Sequence, residues 1–156
     1  MWSSICGGAV LLVASIGALD GTPFWGEHAA AFAVFAALLI ATELKPIPSL
    51  TDDTELTASW AFAFTLLFIA PLAGALMAVA IAPFLADVRR GKRVDRSLFN
   101  AAQFMLSLAL GGMVGSLIED VSLVGHGGSV TLRWLVAVAV ACAVGFAANS
   151  VFISLA

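Results

Sequence analysis

The side chains best suited to chemistry within the apolar stretches of this 156-residue chain are a few amides and hydroxyls. Asn100, Gln103 and Ser107 stand at positions i, i+3 and i+7, which puts them on one face of a helix. Because unsatisfied amides are costly in hydrocarbon, this face should point into a bundle, toward Asn149 or Ser150. The pattern predicts an interhelical polar cluster. A cavity for a small ligand is the functional alternative, since polar groups inside a membrane often mark ligand paths.

Other chemistry-bearing residues are isolated. His28 and His126 fall in polar loops without metal-ligand partners at a usable spacing, and Cys6 and Cys142 are far apart in apolar surroundings. The sequence has no G-x-S-x-G turn, no P-loop and no Gly-rich dinucleotide turn. These observations predict no metal, no cofactor and no catalytic residue, and hence a protein that is not an enzyme.

Acidic residues lie mainly at the ends of the predicted helices. Glu43 closes one apolar stretch and is expected to pair with Lys45. Asp87 closes another and is expected to pair with Arg90 or Arg93. No acid falls at a predicted mid-membrane position, which argues against a proton-coupled pump.

The composition sets the class of protein that must hold these side chains. Hydrophobic residues make up 62% of the chain and charged residues only 11%, whereas soluble domains have about a quarter charged residues. This charge deficit excludes disordered, coiled-coil, collagen-like and nucleic-acid-binding proteins. It predicts an all-α integral membrane protein that forms a single transmembrane domain over residues 1–156, with the lipid bilayer as its surroundings.

Charged and polar residues divide the apolar sequence into six predicted transmembrane helices. These helices cover residues 2–19, 29–44, 56–70, 72–88, 98–118 and 131–156. A cleaved signal peptide is the alternative for the first, but no basic residue precedes it. Between Leu56 and Ala86 the chain has no charge in 31 residues, and Pro71 divides this stretch into a helical hairpin. The alternative there is one long kinked helix, which gives five helices in total.

The basic residues predict how the bundle is oriented. Five of the seven basic residues lie in one loop: Arg89, Arg90, Lys92, Arg93 and Arg96. Loops of this kind remain cytoplasmic, which places Lys45 and both termini inside and Arg133 outside. We therefore expect a multi-pass membrane protein with this loop on the cytoplasmic side. We also expect the loop to contact anionic lipid.

Small residues recur every four positions on several predicted helices. Gly111 follows Ser107 by four and precedes Gly115 by four, and Ala141 and Gly145 repeat this spacing in the last apolar stretch. A similar ladder begins at Ala29 and continues to Ala41. Small side chains let helix backbones approach closely, so the ladders predict packing within one bundle. A homodimer contact through Gly111 and Gly115 is the alternative.

An ordered series of motifs resembles a known family. The series comprises Glu43, Glu55-Leu-Thr-Ala-Ser59, Leu66-Leu-Phe-Ile-Ala-Pro-Leu-Ala-Gly-Ala-Leu76, Ala86-Asp87, Arg89-Arg90 and Leu98-Phe-Asn-Ala-Ala-Gln103. Over residues 40–110 it resembles the N-terminal membrane modules of bacterial signalling proteins, in which a sensor region precedes a GGDEF, EAL or HD-type phosphohydrolase domain. The resemblance implies a sensory or anchoring module of a longer protein in a bacterial cytoplasmic membrane, with any cytoplasmic output domain beyond Ala156.

A transporter subunit is the alternative function. Six helices with little mass outside the membrane are similar to the substrate-binding subunits of energy-coupling-factor vitamin transporters. Ala14 and Ala18 on the first predicted helix resemble the small-residue motif by which such subunits dock on their coupling partner. This resemblance implies binding of a vitamin-like small molecule and assembly with a coupling subunit.

Overall fold

A computed structural model describes residues 5–8, 10, 29–45, 47–48, 55–56, 58–122 and 130–154. The helices are α1 (Ala29–Leu44), α2 (Ser59–Ile69), α3 (Leu72–Arg89), α4 (Val94–Ser116) and α5 (Leu132–Ser154). Residues 5–8 and 10 are also helical, so the described part of the chain contains segments of six helices. The predicted all-α class is confirmed. Most of the first predicted helix, including Ala14 and Ala18, lies outside the described residues.

Three of these helices are long and apolar enough to cross a membrane: α3, α4 and α5. The other two, α1 and α2, are apolar but have only 16 and 11 residues. At 1.5 Å per residue, α2 is roughly 16 Å long, about half the thickness of a bilayer core. Of the six predicted transmembrane helices, three therefore have spanning length among the described residues.

The link between α1 and α2 contains a feature that the sequence did not predict. Two-residue strands, β1 (Ile47–Pro48) and β2 (Glu55–Leu56), pair antiparallel, with Ile47 opposite Leu56. The predicted helix start at residue 56 is therefore wrong, and α2 begins at Ser59. The backbone of residues 55 and 56 pairs across the link and so cannot begin a helix.

Pro71 separates α2 from α3, which confirms the hairpin and excludes the single long helix. Ala70 is extended, with φ −127° and ψ 158°, and Pro71 follows with ψ 141°. Proline has no N–H to donate and disfavours the helical conformation of the residue before it. The Ala70 N–H still bonds the Leu66 carbonyl at 3.0 Å, and the Pro71 carbonyl accepts from the Ala75 N–H at 3.1 Å. These two bonds continue the helical hydrogen-bond pattern up to the turn at the end of α2 and from the turn at the start of α3.

Hydrogen bonds define two ends of the bundle. Arg90 Nη2 donates to the Glu43 carbonyl at 2.9 Å, so α1 and α3 finish at one end, which we call the basic end. At the other end Arg133 Nε donates to the Ile118 carbonyl at 2.9 Å. Lys45 directly follows α1, so it shares the basic end with the 89–96 loop. Lys45 and this loop therefore lie at the opposite end of the bundle from Arg133.

The small-residue ladders of α4 and α5 face each other across the most extensive helix contact of the described chain. A Cβ atom at Gly111 would overlap the carbonyl oxygen of Ala141 and lie 3.2 Å from the nitrogen of Gly145. A Cβ atom at Gly115 would lie 2.9 Å from the Ala137 carbonyl oxygen. Packing within one bundle is confirmed for this pair, and α5 occupies the face predicted as an alternative homodimer contact.

The ladder on α1 behaves differently. Ala33, Ala37 and Ala41 are exposed, and Ala29 is half-buried, so this face does not pack within the described bundle. The prediction of internal packing is wrong here, because α1 contacts α2 and α3 through its opposite side, where Leu39 is fully buried.

Candidate functional site

The polar side chains of the basic end surround a cleft of about 230 Å³, which we call the polar cleft. Each helix from α1 to α5 contributes to its lining, as does the turn after α3. The lining residues are Glu43, Ser59, Trp60, Pro83, Asp87, Arg90, Lys92, Asn100, Gln103, Phe104, Asn149 and Ile153.

Asp87 is the buried acid of the cleft, with a side chain only 5% exposed. Its Oδ1 lies 2.7 Å from Lys92 Nζ, and its Oδ2 accepts a hydrogen bond from Asn100 Nδ2. The predicted partners Arg90 and Arg93 are therefore wrong. A buried carboxylate needs both a counter-ion and hydrogen bonds, and Lys92 and Asn100 together provide them.

The turn after α3 explains why Lys92 is the partner of Asp87. Gly91 has a positive φ of 71°, its N–H donates to the Val88 carbonyl, and the Lys92 N–H donates to the Asp87 carbonyl. These two bonds form a Schellman motif, which usually requires glycine at this position. The reversal carries Lys92 back over the last turn of α3.

Glu43 connects α1 to two other helices. Its carboxylate shares a hydrogen bond with the Ser59 hydroxyl at the start of α2, and its carbonyl accepts from Arg90. The predicted pairing with Lys45 is wrong in the described part of the chain. Lys45 lies beyond the end of α1 and is exposed, whereas Glu43 is half-buried beside Ser59.

The predicted link between α4 and α5 is present. Gln103 Nε2 donates to Asn149 Oδ1 at 2.9 Å, and Gln103 is only 6% exposed. Ser107 instead donates to the Gln103 carbonyl of its own helix at 2.8 Å. The Gln103–Asn149 contact is confirmed. The single cluster of Asn100, Gln103 and Asn149 is wrong, because Asp87 binds Asn100 from the neighbouring helix.

Several hydrogen-bonding atoms of these amides remain available to a ligand. Among the described residues, Gln103 Oε1, Asn149 Nδ2 and Asn100 Oδ1 have no hydrogen-bond partner. All three side chains line the polar cleft. The arrangement therefore presents acceptors and a donor to a small polar molecule.

An aromatic cluster adjoins the cleft, and two of its members, Trp60 and Phe104, line it. The Trp60 ring lies 4.4 Å from the Phe104 ring, 4.9 Å from that of Phe146 and 5.3 Å from that of Phe64, between ring centroids. These contacts connect α2, α4 and α5 next to the polar groups. This cluster was not predicted from the sequence, although Trp60, Phe64 and Phe68 stand four residues apart on one face of α2.

The remaining predicted site residues lie outside the cleft. Arg89, Arg93 and Arg96 are exposed, and Arg93 binds Asp95 through two contacts of 3.1 and 3.2 Å. No group of three or more metal-ligating side chains occurs among the described residues. His28 and His126 lie outside them.

The chain was compared with protein families, curated proteins and solved structures. No family model matches the chain, and neither curated proteins nor solved structures give a match.

Proposed function

We propose that this chain is a membrane-embedded sensory or anchoring module of a bacterial signalling protein, without catalytic activity of its own. Three apolar helices of spanning length support the location in a membrane. The outer face of α5 supports it further, since Leu132, Leu135, Val136, Val151 and Ile153 are exposed. Large apolar patches of this kind are unusual on monomeric soluble proteins.

The proposed orientation puts the basic end in the cytoplasm. Five basic and two acidic residues occur between Asp87 and Arg96, and such loops are retained on the cytoplasmic side. The polar cleft then opens toward the cytoplasm, beside the C-terminal turns of α5.

The hydrogen bond between Gln103 and Asn149 carries the sensory part of the proposal. It joins the wall of the cleft to α5, the helix that would lead into any domain that follows. A ligand that used the free Gln103 Oε1 or Asn149 Nδ2 atom would favour one arrangement of α4 against α5. A ligand shifts a conformational equilibrium only by such differential contacts.

A double-mutant cycle tests this role. Gln103→Leu and Asn149→Leu are made singly and together in the chain with an output domain attached after Ala156. Thermal stability in detergent and output activity are measured for each. Ser150→Ala is the matched control, because Ser150 is next to Asn149 but donates only to the Phe146 carbonyl of its own helix.

The sensory role predicts that the two substitutions are coupled in output activity and that Ser150→Ala has no effect. Coupling in stability alone would leave an anchoring role, in which the bond fixes the register of the helices. Strict additivity in both measurements would show that the two side chains do not interact, which contradicts the proposal.

The alternative, a binding subunit of an energy-coupling-factor transporter, is supported by the free amide atoms that line the cleft. These atoms would equally suit a vitamin-like solute. Purification from native membranes separates the two: co-purification with a coupling subunit and an ATPase pair favours the transporter, whereas a covalently continuous output domain favours the signalling module.

A further inference from the structure

A second, apolar cavity of about 430 Å³ lies between α3 and α4, and we call it the lateral groove. Ile81 and Leu85 of α3 line one wall, and Leu98 and Met105 of α4 line the other. Ile81, Leu85 and Leu98 are each more than 40% exposed. We propose that this groove binds one acyl chain of an anionic phospholipid, with the lipid phosphate at Arg89. The proposal goes beyond the sensory function.

The length of the groove fits one leaflet of a bilayer. Its lining begins at Ala80 on α3, and Arg89 ends the helix nine residues later. At 1.5 Å per residue this distance is roughly 14 Å. Half of a hydrocarbon core is about 15 Å. An acyl chain along the groove therefore places its headgroup beside Arg89.

Charge selects an anionic lipid over a neutral one. Ile81, Leu85 and Arg89 follow one another at intervals of four, so the apolar row ends in a guanidinium group. Arg89 is exposed and has no ion pair or hydrogen bond from its side chain among the described residues. Lys92 and Arg93 are already paired, with Asp87 and Asp95. Arg89 is therefore free to bind a lipid phosphate.

The surroundings of the groove favour a lipid over a protein partner. Both of its long walls are helices of spanning length, so its open side faces the hydrocarbon in the proposed membrane location. Ile5 and Gly8 of the N-terminal helical segment also line the groove, and a Cβ atom at Gly8 would overlap Ala102, so this segment packs closely on α4. An anionic leaflet surface attracts basic side chains by about 1 kcal/mol for each residue.

Native mass spectrometry of the detergent-solubilised chain tests the proposal. The chain is titrated with dioleoyl phosphatidylglycerol or dioleoyl phosphatidylcholine, and the retained lipid is counted. We expect the chain to bind phosphatidylglycerol more tightly than phosphatidylcholine. Arg89→Gln should lower the affinity for phosphatidylglycerol alone by about fivefold, which is equivalent to the ~1 kcal/mol per basic residue. The matched control is Lys45→Gln, which removes the same charge at the same end but beyond α1, away from the groove, and should have no effect.

Two further measurements separate the sources of binding. Ala101→Leu places a larger side chain in the lining of the groove and should weaken binding of both lipids. If this variant does not fold, the comparison of Arg89→Gln with Lys45→Gln still decides the proposal. Inorganic phosphate at the same concentration should not displace the lipid, because it lacks an acyl chain. Equal binding of the two lipids, displacement by phosphate, or equal responses of Arg89→Gln and Lys45→Gln would overturn the proposal. None of these readouts depends on an output domain, so failure here is distinct from failure of the sensory function.

Discussion

Alanine substitutions at two adjacent glycines of α4 test the close contact between α4 and α5. Gly111 and Gly112 are both buried in the same helix, so Gly→Ala changes helix propensity equally at the two positions. Their surroundings differ. A Cβ atom at Gly111 would overlap the backbone oxygen of Ala141, whereas one at Gly112 would lie 3.0 Å from Cδ1 of Leu67.

The expected difference follows from what each new methyl group meets. Alanine favours a helix over glycine by about 1 kcal/mol. Overpacking of a tight interface costs about 1–3 kcal/mol. The Ala141 carbonyl cannot rotate away, so the upper part of that range applies and Gly111→Ala should lose about 1–2 kcal/mol net. The end of the Leu67 side chain can shift, so Gly112→Ala should be neutral or stabilising.

Thermal unfolding of the two variants in one detergent provides the assay. For a chain of this size, 1 kcal/mol corresponds to about 2–4 °C in Tm. Gly111→Ala should therefore melt about 2–8 °C below the unmodified chain, and Gly112→Ala at or above it. Gly111→Leu and Gly145→Leu should be worse than Gly111→Ala, because neither position has room for a branched side chain. Equal Tm values for Gly111→Ala and Gly112→Ala would refute the proposed contact with α5.

Two further predictions concern the basic end. Gly91→Ala should lower the free energy of unfolding by about 1 kcal/mol, because φ of 71° is unfavourable for a residue with a Cβ atom; a Tm equal to that of the unmodified chain would contradict the Schellman motif. Lys92→Gln should destabilise the chain more than Asp87→Asn, because it leaves a buried carboxylate without its counter-ion. Asp87→Asn removes the buried negative charge itself, so no counter-ion is required. The reverse order of Tm values would contradict the cost assigned to an unpaired carboxylate at Asp87.

The elements were predictable where a single residue determines the local backbone. Pro71 cannot donate a helical hydrogen bond, and it disfavours a helical conformation of the residue before it. The break between α2 and α3 could therefore be predicted from the sequence. The bounds of α1 agree with the prediction because polar residues flank its apolar stretch on both sides. The two-residue strand pair was not predictable, since it depends on which parts of the link meet in space.

The sequence predicts which helix faces carry the residues of the candidate site, but not which residues those side chains contact. Helical spacing places Asn100 and Gln103 on one side of α4, and the link from Gln103 to Asn149 follows from their similar depth in the bundle. The same spacing could not show that Asp87 lies closer to Asn100 than Asn149 does. The choice of Lys92 as the counter-ion depends on the turn at Gly91, which the composition of a basic loop does not reveal.

Labelling of single cysteines in intact cells tests most directly whether the polar cleft opens on the cytoplasmic side. Cys6 and Cys142 are first replaced, and a cysteine is placed either at Lys92, beside the cleft, or at Arg133, at the opposite end. A membrane-impermeant maleimide added outside the cells should label position 133 and label position 92 only after the membrane is permeabilised. Labelling of position 92 in intact cells would contradict both the proposed orientation and a cleft that communicates with a cytoplasmic domain.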